Sequence, residues 1–382
     1  MRGRSILSIL LILWSAACVD RVFIDVGSAA VYSIVIDGHI SDQPGPYKIE
    51  IYSGHDLEDK FARHPISVKQ LVILDDQGTR ELLSEIDKGI YQTNSSGIRG
   101  MIGRVYTLRI ELFDGRIYES KSDSLMSPGK LDSLYYDFNS TGKVSDLGYK
   151  DYGFDIFFNS SAGFKNNYYF LWKFTGTFRA DTHPEANTTQ CFWADGRCQF
   201  VLPCSGYINI GGYTPFTAVY KKVRPCTCCT CWYNLANDLP MLSDNQLLRF
   251  GRFEGIKAYR VPLNQWIFLH KIRVAVDQMS LSRQTYDFWK AIKNQRTSIN
   301  SLFQPVTGKI PSNFVQISGP QIPIEGLFYA TSISSKSFYI TRDEIPKPDL
   351  IPNISQIGLF FGDDCVNLFP NATYTRPSYW KD

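Results

Sequence analysis

Cysteine is the residue type with the clearest potential for chemistry in this 382-residue sequence, which contains nine of them. The densest group is the segment 226–231, which reads Cys-Thr-Cys-Cys-Thr-Cys. Four thiolates could surround a zinc ion or an iron–sulfur cluster. However, the CxCC spacing has no room for the usual CxxC knuckle, and no second knuckle follows at zinc-ribbon distance. Disulfides are therefore the favoured interpretation, with metal binding and redox chemistry as alternatives.

The first 18 residues are typical of an export signal. Basic residues precede an apolar run that is too short for a membrane-spanning helix of about 20 residues. The run ends in Ser-Ala-Ala-Cys, which resembles the bacterial lipobox except that Ser15 stands where an aliphatic residue is usual. We expect 1–17 to be a lipoprotein signal peptide, Cys18 to carry a covalent lipid anchor, and 18–30 to form a tether. The alternative is an ordinary signal peptide with a chance cysteine. Apart from the lipid, no cofactor is expected.

An even number of cysteines remains when Cys18 is set apart, which in an exported chain predicts disulfides. The eight candidates are Cys191, Cys198, Cys204, Cys226, Cys228, Cys229, Cys231 and Cys365. If the segment 226–231 is extended, Cys226 and Cys228 face one way and the other two cysteines face the opposite way. The four cannot then all pair among themselves without strain. We therefore expect the cysteines of this segment to bond outward, one of them to Cys365.

Composition excludes several classes of protein. Lys and Arg number 40 against 37 Asp and Glu, and 44% of the residues are hydrophobic, which fits a chain with a full apolar core rather than a disordered one. A formal charge of +3 and the lack of a Lys/Arg run give no reason to expect a nucleic-acid partner. The 25 Phe and 22 Tyr residues favour β structure.

Periodicity predicts a mainly β fold that begins with an immunoglobulin-like β-sandwich over 31–127. Strand-length segments with period-two alternation recur through this region, and Asp75-Asp76-Gln77-Gly78 and Asp114-Gly115 supply turns between them. Residues 103–112, for example, place Tyr106, Leu108 and Ile110 on one face. The Ser-Pro-Gly sequence at 127–129 marks the boundary.

The remainder, 128–382, is predicted to be a larger β-rich domain. The cysteine-rich part, about 184–232, has little periodicity and indicates a disulfide-rich insertion. Ser282 is expected to cap one amphipathic helix that runs to about Gln295. The segments 324–332 and 336–341 are expected to form a closing hairpin. Aromatic stretches between 134 and 178 are interpreted as core strands, with a glycan-stacking surface as the alternative.

No catalytic motif is found. The sequence contains no HExxH, GxSxG, P-loop or EF-hand pattern, and its five histidines are scattered. Asp363-Asp364 could be an acid/base pair, but adjacent acidic residues after a glycine are more typical of a turn. We therefore expect no catalytic residue and no metal site, although carboxylate catalysis leaves little sequence signature.

An ordered set of segments resembles a known family, the Bacteroidota outer-membrane lipoproteins grouped as domain of unknown function 4249. Beside Cys18, the segments that carry the resemblance are 34–42 (IVIDGHISD), 45–47 (GPY), 89–91 (GIY) with Gly100 and Gly103, 106–108 (YTL), Cys231-Trp232, 280–282 (SLS), 286–289 (YDFW) and 326–330 (GLFYA). They extend over nearly the whole mature chain. The family is defined without an agreed activity.

The resemblance implies a role rather than a reaction. Members look like companions of TonB-dependent outer-membrane transporters, and such lipoproteins are commonly displayed on the cell surface. We therefore expect a lipid-anchored outer-membrane protein on the extracellular face, a non-enzymatic accessory subunit of a β-barrel complex, with other surface lipoproteins as further partners. The barrel could be a TonB-dependent transporter or part of the assembly and export machinery. The alternatives are a surface glycan- or peptide-binding lipoprotein for nutrient capture and, less favoured, a hydrolase.

Two finer expectations concern the surface. The triplets Asp123-Ser124-Leu125 and Asp132-Ser133-Leu134 resemble the O-glycosylation signal of that phylum, so Ser124 and Ser133 are candidate sites at an accessible domain boundary. Exposed aromatic side chains from 134–178 and 184–232 are the expected contacts with the barrel, because aromatic residues are favoured anchors in interfaces.

Overall fold

The computed structural model describes most of the chain outside its N-terminal region. The described residues are 33–53, 64–144, 150–162, 167–186, 191–194, 196–212, 214, 216–244, 247–298, 312–319, 324–346 and 363–381. The expected signal peptide 1–17, the lipid-carrying Cys18 and the tether 18–30 lie outside these ranges. Within them, no helix is long and apolar enough to cross a membrane.

The architecture is mainly β, as predicted, with two α-helices among the described residues. The strands are β1 (Ile34–Ser41), β2 (Lys48–Ser53), β3 (His64–Pro65), β4 (Gln70–Asp75), β5 (Arg80–Leu82), β6 (Ser84–Asp87), β7 (Ile90–Gln92), β8 (Val105–Glu111), β9 (Ile117–Ser120), β10 (Asp123–Ser124), β11 (Lys130–Val144), β12 (Lys150–Ser161), β13 (Phe170–Asp181), β14 (Phe192–Ala194), β15 (Arg197–Gln199), β16 (Tyr207–Gly211), β17 (Val219–Lys222), β18 (Thr230–Ala236), β19 (Met241–Leu242), β20 (Leu248–Arg249), β21 (Arg252–Pro262), β22 (Lys271–Ser280), β23 (Phe314–Ser318), β24 (Ile324–Thr331) and β25 (Ile333–Thr341). The helices are α1 (Arg283–Ser298) and α2 (Cys365–Leu368).

The first sandwich consists of two sheets packed face to face. One has the order β24-β1-β2-β7-β6 and the other β23-β9-β8-β4-β5, with β3 and β10 attached at their sides. The alternating strands supply buried residues such as Ile36 and Ile49 from the first sheet and Leu71, Leu108 and Tyr118 from the second, all in one apolar core. The sandwich is thus present, and its immunoglobulin type stays a prediction.

The second sandwich has the same plan. Its sheets have the orders β11-β12-β21-β20 and β18-β13-β22-β25, and they enclose an aromatic-rich core that includes Phe154, Phe158 and Trp172. Tyr136 and Phe138 of β11 also pack against this core, so the interpretation of the aromatic stretches as core strands is confirmed for them. Tyr135, on the opposite face of β11, is exposed and stacks on Phe157.

The prediction that 324–332 and 336–341 form a closing hairpin is wrong. β24 instead pairs in parallel with β1, Ile34 opposite Ile324, whereas β25 pairs with β22. One residue, Ser332, separates β24 from β25, so the chain continues in nearly one direction and passes from the first sandwich into the second. β23 likewise returns to the first sandwich and pairs with β9. Residues far beyond 127 therefore complete the first sandwich.

The free edge of β24 is closed by side chains. The amide of Asn313 donates to the carbonyl of Phe328 at 2.6 Å, and its oxygen accepts the Phe328 N–H at 3.2 Å. A carboxylate oxygen of Asp123 accepts the Ala330 N–H at 2.9 Å. These bonds satisfy backbone groups that an edge strand would otherwise expose for pairing with another chain.

Buried serines join the places where the chain crosses between the sandwiches. Ser280 and Ser332 are fully buried, and the Ser280 hydroxyl donates to the carbonyl of Met126 at 2.7 Å and accepts the Ser332 N–H at 2.9 Å. Three chain crossings, at 126, 280 and 332, therefore meet at one point. This arrangement fixes the two sandwiches against each other.

Helix α1 lies between the two sandwiches. The hydroxyl of Ser282 accepts the Thr285 N–H at 3.2 Å, so the predicted helix cap is confirmed, and the helix extends a turn beyond Gln295. Phe288 and Trp289 pack with Leu327 and Tyr329 of β24 and with residues of the second sandwich. The apolar face of the helix thus fills the junction.

All eight predicted cysteines form disulfides, and all four bonds lie in or attach to the second sandwich. The pairs are Cys191–Cys198, Cys204–Cys228, Cys226–Cys229 and Cys231–Cys365. Outward bonding is confirmed for Cys228 and Cys231, including the expected partner Cys365. It is wrong for Cys226 and Cys229, because the chain bends at 227–229 and brings their Cα atoms to 5.7 Å.

Candidate functional site

A cleft opens where the outer face of the first sandwich meets helix α1. This first cavity of ≈ 470 Å³ is walled by β1, β24 and the helix. Its carboxylates are Asp37 and Glu325, on neighbouring parallel strands, and its aromatic walls are Tyr52, Phe288 and Trp289. Because strand residues alternate, the same alternation that sends Ile36 into the core directs Asp37 into the cleft.

A second cavity of ≈ 280 Å³ adjoins the first and shares Trp289 as a wall. It lies over β13 of the second sandwich, and its charged lining residues are Lys173, Arg296 and Asp238. Arg296 is held by a hydrogen bond from Nη1 to the carbonyl of Asp238 at 2.7 Å. The charged lining of the first cavity is therefore acidic, whereas that of the second is mixed with a net positive charge, and the indole ring of Trp289 lies between them.

Lys173 of the second cavity interacts electrostatically with Asp37 of the first cavity. Solvent reaches this side chain, yet the crowded walls lower its pKa through desolvation, and the negative charges of Asp37 and Asp277 oppose that shift. Lys173 thus stands close enough to Asp37 for the two charges to interact, although one belongs to each sandwich. The cleft is a feature of the junction rather than of either sandwich alone.

His39 lies two residues beyond Asp37 on β1. Its ring stacks on Tyr329 with centroids 5.2 Å apart. Burial, assisted by the positive charge of Lys173, lowers the pKa of His39 to about 4. The imidazole is therefore neutral at pH 7. Burial also raises the pKa of Tyr329, so this phenol is neutral as well.

Asp123 positions the helix at the other end of the junction. Besides the Ala330 N–H, its carboxylate accepts the Thr285 hydroxyl at 3.1 Å, so it links β10, α1 and β24. Burial raises the pKa of Asp123, and hydrogen bonds from Ser282, Ala330 and Thr285 oppose the shift. Its part is to hold the helix that walls the cleft.

A different surface stands out on the cysteine-rich insertion. Its hairpins β14–β15 and β16–β17 are joined by a hydrogen bond of 3.2 Å from the Asn209 amide to the carbonyl of Cys198. They leave large apolar side chains in water, with Trp193 77% and Phe216 98% exposed. We call this set the insertion face; it comprises Trp193, Ile208, Ile210, Phe216, Val219 and Val223.

One pair of titratable groups resembles part of a catalytic triad. His270 Nε2 lies 2.6 Å from a carboxylate oxygen of Asp181. The other oxygen accepts the Thr230 hydroxyl at 2.7 Å and the Arg179 guanidinium at 2.9 Å. In a nucleophile–base pair the hydroxyl must face the imidazole, whereas here it donates to the carboxylate. This cluster therefore joins β13 to β18, and the Thr230 hydroxyl is directed to Asp181 and not to the imidazole of His270.

The sequence predicts a turn at Asp363-Asp364, and the structure places Asp364 at the start of a helix. Asp364 caps helix α2 by accepting the Val366 N–H at 3.1 Å. An oxygen of Asp364 also lies within 4.8 Å of the sulfurs of Cys204 and Cys228. Since those two sulfurs are bonded to each other, they are not thiolate ligands for a metal ion.

The two serines proposed for O-glycosylation are not equally placed. Ser124 lies in β10 between buried Asp123 and Leu125, and is itself half-buried. The hydroxyl oxygen of Ser133, in β11, is buried. The expectation of accessibility is therefore wrong for Ser133, because a transferase cannot reach this oxygen in the folded chain. Glycosylation of Ser124 stays a prediction.

The profile of the family described as Domain of unknown function (DUF4249) matches residues 19–337. The chain belongs to this family. The match includes both helix α1 and β24 and so covers every wall of the cleft, whereas Cys365 lies outside it. No curated protein matches this DUF4249 chain.

Sequence reasoning missed the cleft of this DUF4249 chain, although a signal for it was present. Three of the segments that carry the family resemblance, 34–42, 286–289 and 326–330, lie far apart in the sequence and meet at the first cavity. Their charged and aromatic residues interrupt otherwise apolar strands and helix faces. Lys173 and Arg296 gave no such signal, because single basic residues on a strand or a helix are ordinary surface features.

Proposed function

We propose that this protein is a lipid-anchored protein of the outer-membrane surface in Bacteroidota. It acts without catalysis as an accessory subunit of a β-barrel complex, either a TonB-dependent transporter or the machinery of outer-membrane protein assembly and export. Other surface lipoproteins are further candidate partners. The proposal rests on the resemblance described above and, in the structure, on one observation, which is the insertion face.

The insertion face has the composition of a protein-docking surface. It gathers six exposed apolar side chains within residues 193–223, and groups of exposed apolar residues commonly mark interaction sites, in which Trp and Phe are favoured anchors. Two disulfides, Cys191–Cys198 and Cys204–Cys228, hold its hairpins before any partner binds. A surface ordered in advance loses less conformational entropy on association, so a modest contact area can give a stable complex.

The test is co-purification from outer membranes with variants of this face. A tagged full-length chain is extracted in mild detergent, washed in ~0.5 M salt and analysed for a bound β-barrel protein, because an apolar contact should resist salt. The double variant I210S/F216S should lose the barrel. Phe250→Ser is the matched control, since Phe250 is equally exposed but lies on the β20–β21 turn outside the insertion.

A photo-crosslinking residue at position 216 identifies the contact directly. The expected product joins this chain to an extracellular loop of the barrel. Equal recovery of the barrel with wild-type chain and I210S/F216S would contradict the proposal, as would a monomer with hydrolase activity.

The second candidate function, capture of a glycan or peptide, is favoured by the cleft between the sandwiches.

A further inference from the structure

The cleft at the junction has an uneven distribution of charge that a structural crevice would not need. Its two cavities meet at Trp289. The carboxylates of Asp37 and Glu325 line the first cavity, whereas two cations, Lys173 and Arg296, outnumber the one carboxylate of Asp238 in the second. The volume of the first cavity by itself lies within the range of ~300–1,000 Å³ that is typical of ligand sites. Such sites commonly occur between domains.

From this arrangement we infer that the cleft binds a zwitterionic ligand of the amino-acid or short-peptide class. The ligand ammonium lies in the first cavity near Asp37 and Glu325, and its carboxylate lies in the second near Lys173 and Arg296. The chain between the two termini crosses Trp289. This inference goes beyond the accessory role and deepens its alternative, the capture of a nutrient.

Several features of the walls fit a peptide better than a neutral sugar. Each ligand terminus meets side chains of opposite charge, which gives charge-assisted hydrogen bonds about twice as strong as those between neutral groups. The indole of Trp289 and the ring of Phe288 offer apolar surface to small side chains. A neutral oligosaccharide would desolvate these charged groups without supplying an opposite charge, which is unfavourable.

The rigid junction supports a preformed site. The serine bonds at 126, 280 and 332 and the Asp123 bonds to Thr285 and Ala330 fix the sandwiches and helix α1 relative to each other. A preformed cleft binds a small ligand without the loss of freedom that closure would require. The ligand therefore meets charged walls whose arrangement is set before it binds.

Isothermal titration calorimetry of the full-length chain in detergent tests this inference, with trialanine as the probe. We expect saturable 1:1 binding that weakens at least tenfold when the peptide is N-acetylated, and at least tenfold when it is C-amidated. Because these changes are made to the ligand, the result does not depend on the folding of a variant. Maltotriose serves as the neutral comparison and should not bind.

Variants locate the site. Asp37→Asn and Lys173→Gln should each weaken trialanine binding at least tenfold. The matched controls are Asp87→Asn, on β6 of the same sheet as Asp37, and Lys336→Gln, on β25 of the same sheet as Lys173. Both controls should bind trialanine as the wild type does.

The inference is overturned if trialanine does not bind at millimolar concentration, if blocked peptides bind as well as the free one, or if maltotriose binds instead. Co-purification of the barrel should be unchanged in D37N, so failure here is distinguishable from failure of the accessory role.

Discussion

The two sandwiches share a plan of two packed sheets but differ in how distant parts of the chain are tied together. The first is completed by non-covalent pairing, since β24 and β23 return from far along the chain to β1 and β9. The second carries the disulfides, and Cys231–Cys365 spans 134 residues. The comparison indicates that stability is distributed unevenly, with covalent constraint concentrated around the exposed insertion face.

The largest expected effect is the loss of the longest covalent constraint. C231A/C365A should lower the free energy of unfolding of the second sandwich by about 5 kcal/mol, because a loop of 134 residues is freed in the unfolded chain. Urea denaturation followed by tryptophan fluorescence measures this, since Trp172 lies in the second core. The control C191A/C198A, with a separation of 7, should cost only about 2 kcal/mol. Equal losses would show that loop length is not the determinant.

The junction between the sandwiches should respond to pH through His39. Its pKa is about 4 in the folded chain against 6.5 for an unperturbed histidine, so the unfolded state binds more protons between these values. The contribution of neutral His39 to the free energy of unfolding is therefore fully present above pH 6.5. It falls by about 3 kcal/mol as the pH drops to about 4. The midpoints of urea denaturation, determined from pH 7 to pH 4, measure this loss of stability. His39→Gln should flatten this part of the profile, and a profile that remains unchanged would refute the assignment; His183→Gln is the exposed control.

The smallest effect concerns the pairing that completes the first sandwich. Gly326 in β24 has a φ of 97°, and a Cβ added there would lie 1.9 Å from the carbonyl oxygen of Ile36. Gly326→Ala should therefore cost about 2–3 kcal/mol and loosen β24 from β1. Gly103→Ala is the matched control, because its φ of 88° is similar but its added Cβ meets nothing within 4 Å. Hydrogen exchange of the β1 amides reports the pairing, and similar protection in both variants would contradict the role of the close approach.

Local chemistry made much of the fold predictable. The alternation of Tyr106, Leu108 and Ile110 predicted their shared buried face, and the hydroxyl of Ser282 predicted the start of helix α1. An even count of cysteines predicted the disulfides. Each of these signals lies within a few residues of the feature that it predicts.

Other features depend on partners that the local sequence does not specify. The hairpin error arose because the two strands are adjacent in the sequence and the serines of Ile333-Ser334-Ser335 are compatible with a turn. The charges of the cleft come from strands and a helix far apart in the sequence, so nothing near Asp37 indicates that Lys173 faces it. The pairing Cys226–Cys229 required a bend that the alternating pattern did not suggest.

The return of β24 to β1 also sets the order in which the chain can fold during synthesis. Ile324 follows its partner Ile34 by about 290 residues. At about 5–20 residues per second, β1 is synthesised roughly 15–60 s before its partner strand. An apolar strand with an unpaired edge is prone to aggregate in that interval. The chain should therefore depend on a holding chaperone until residue 331 is available to pair, and a chain truncated before β23 should be insoluble rather than half folded.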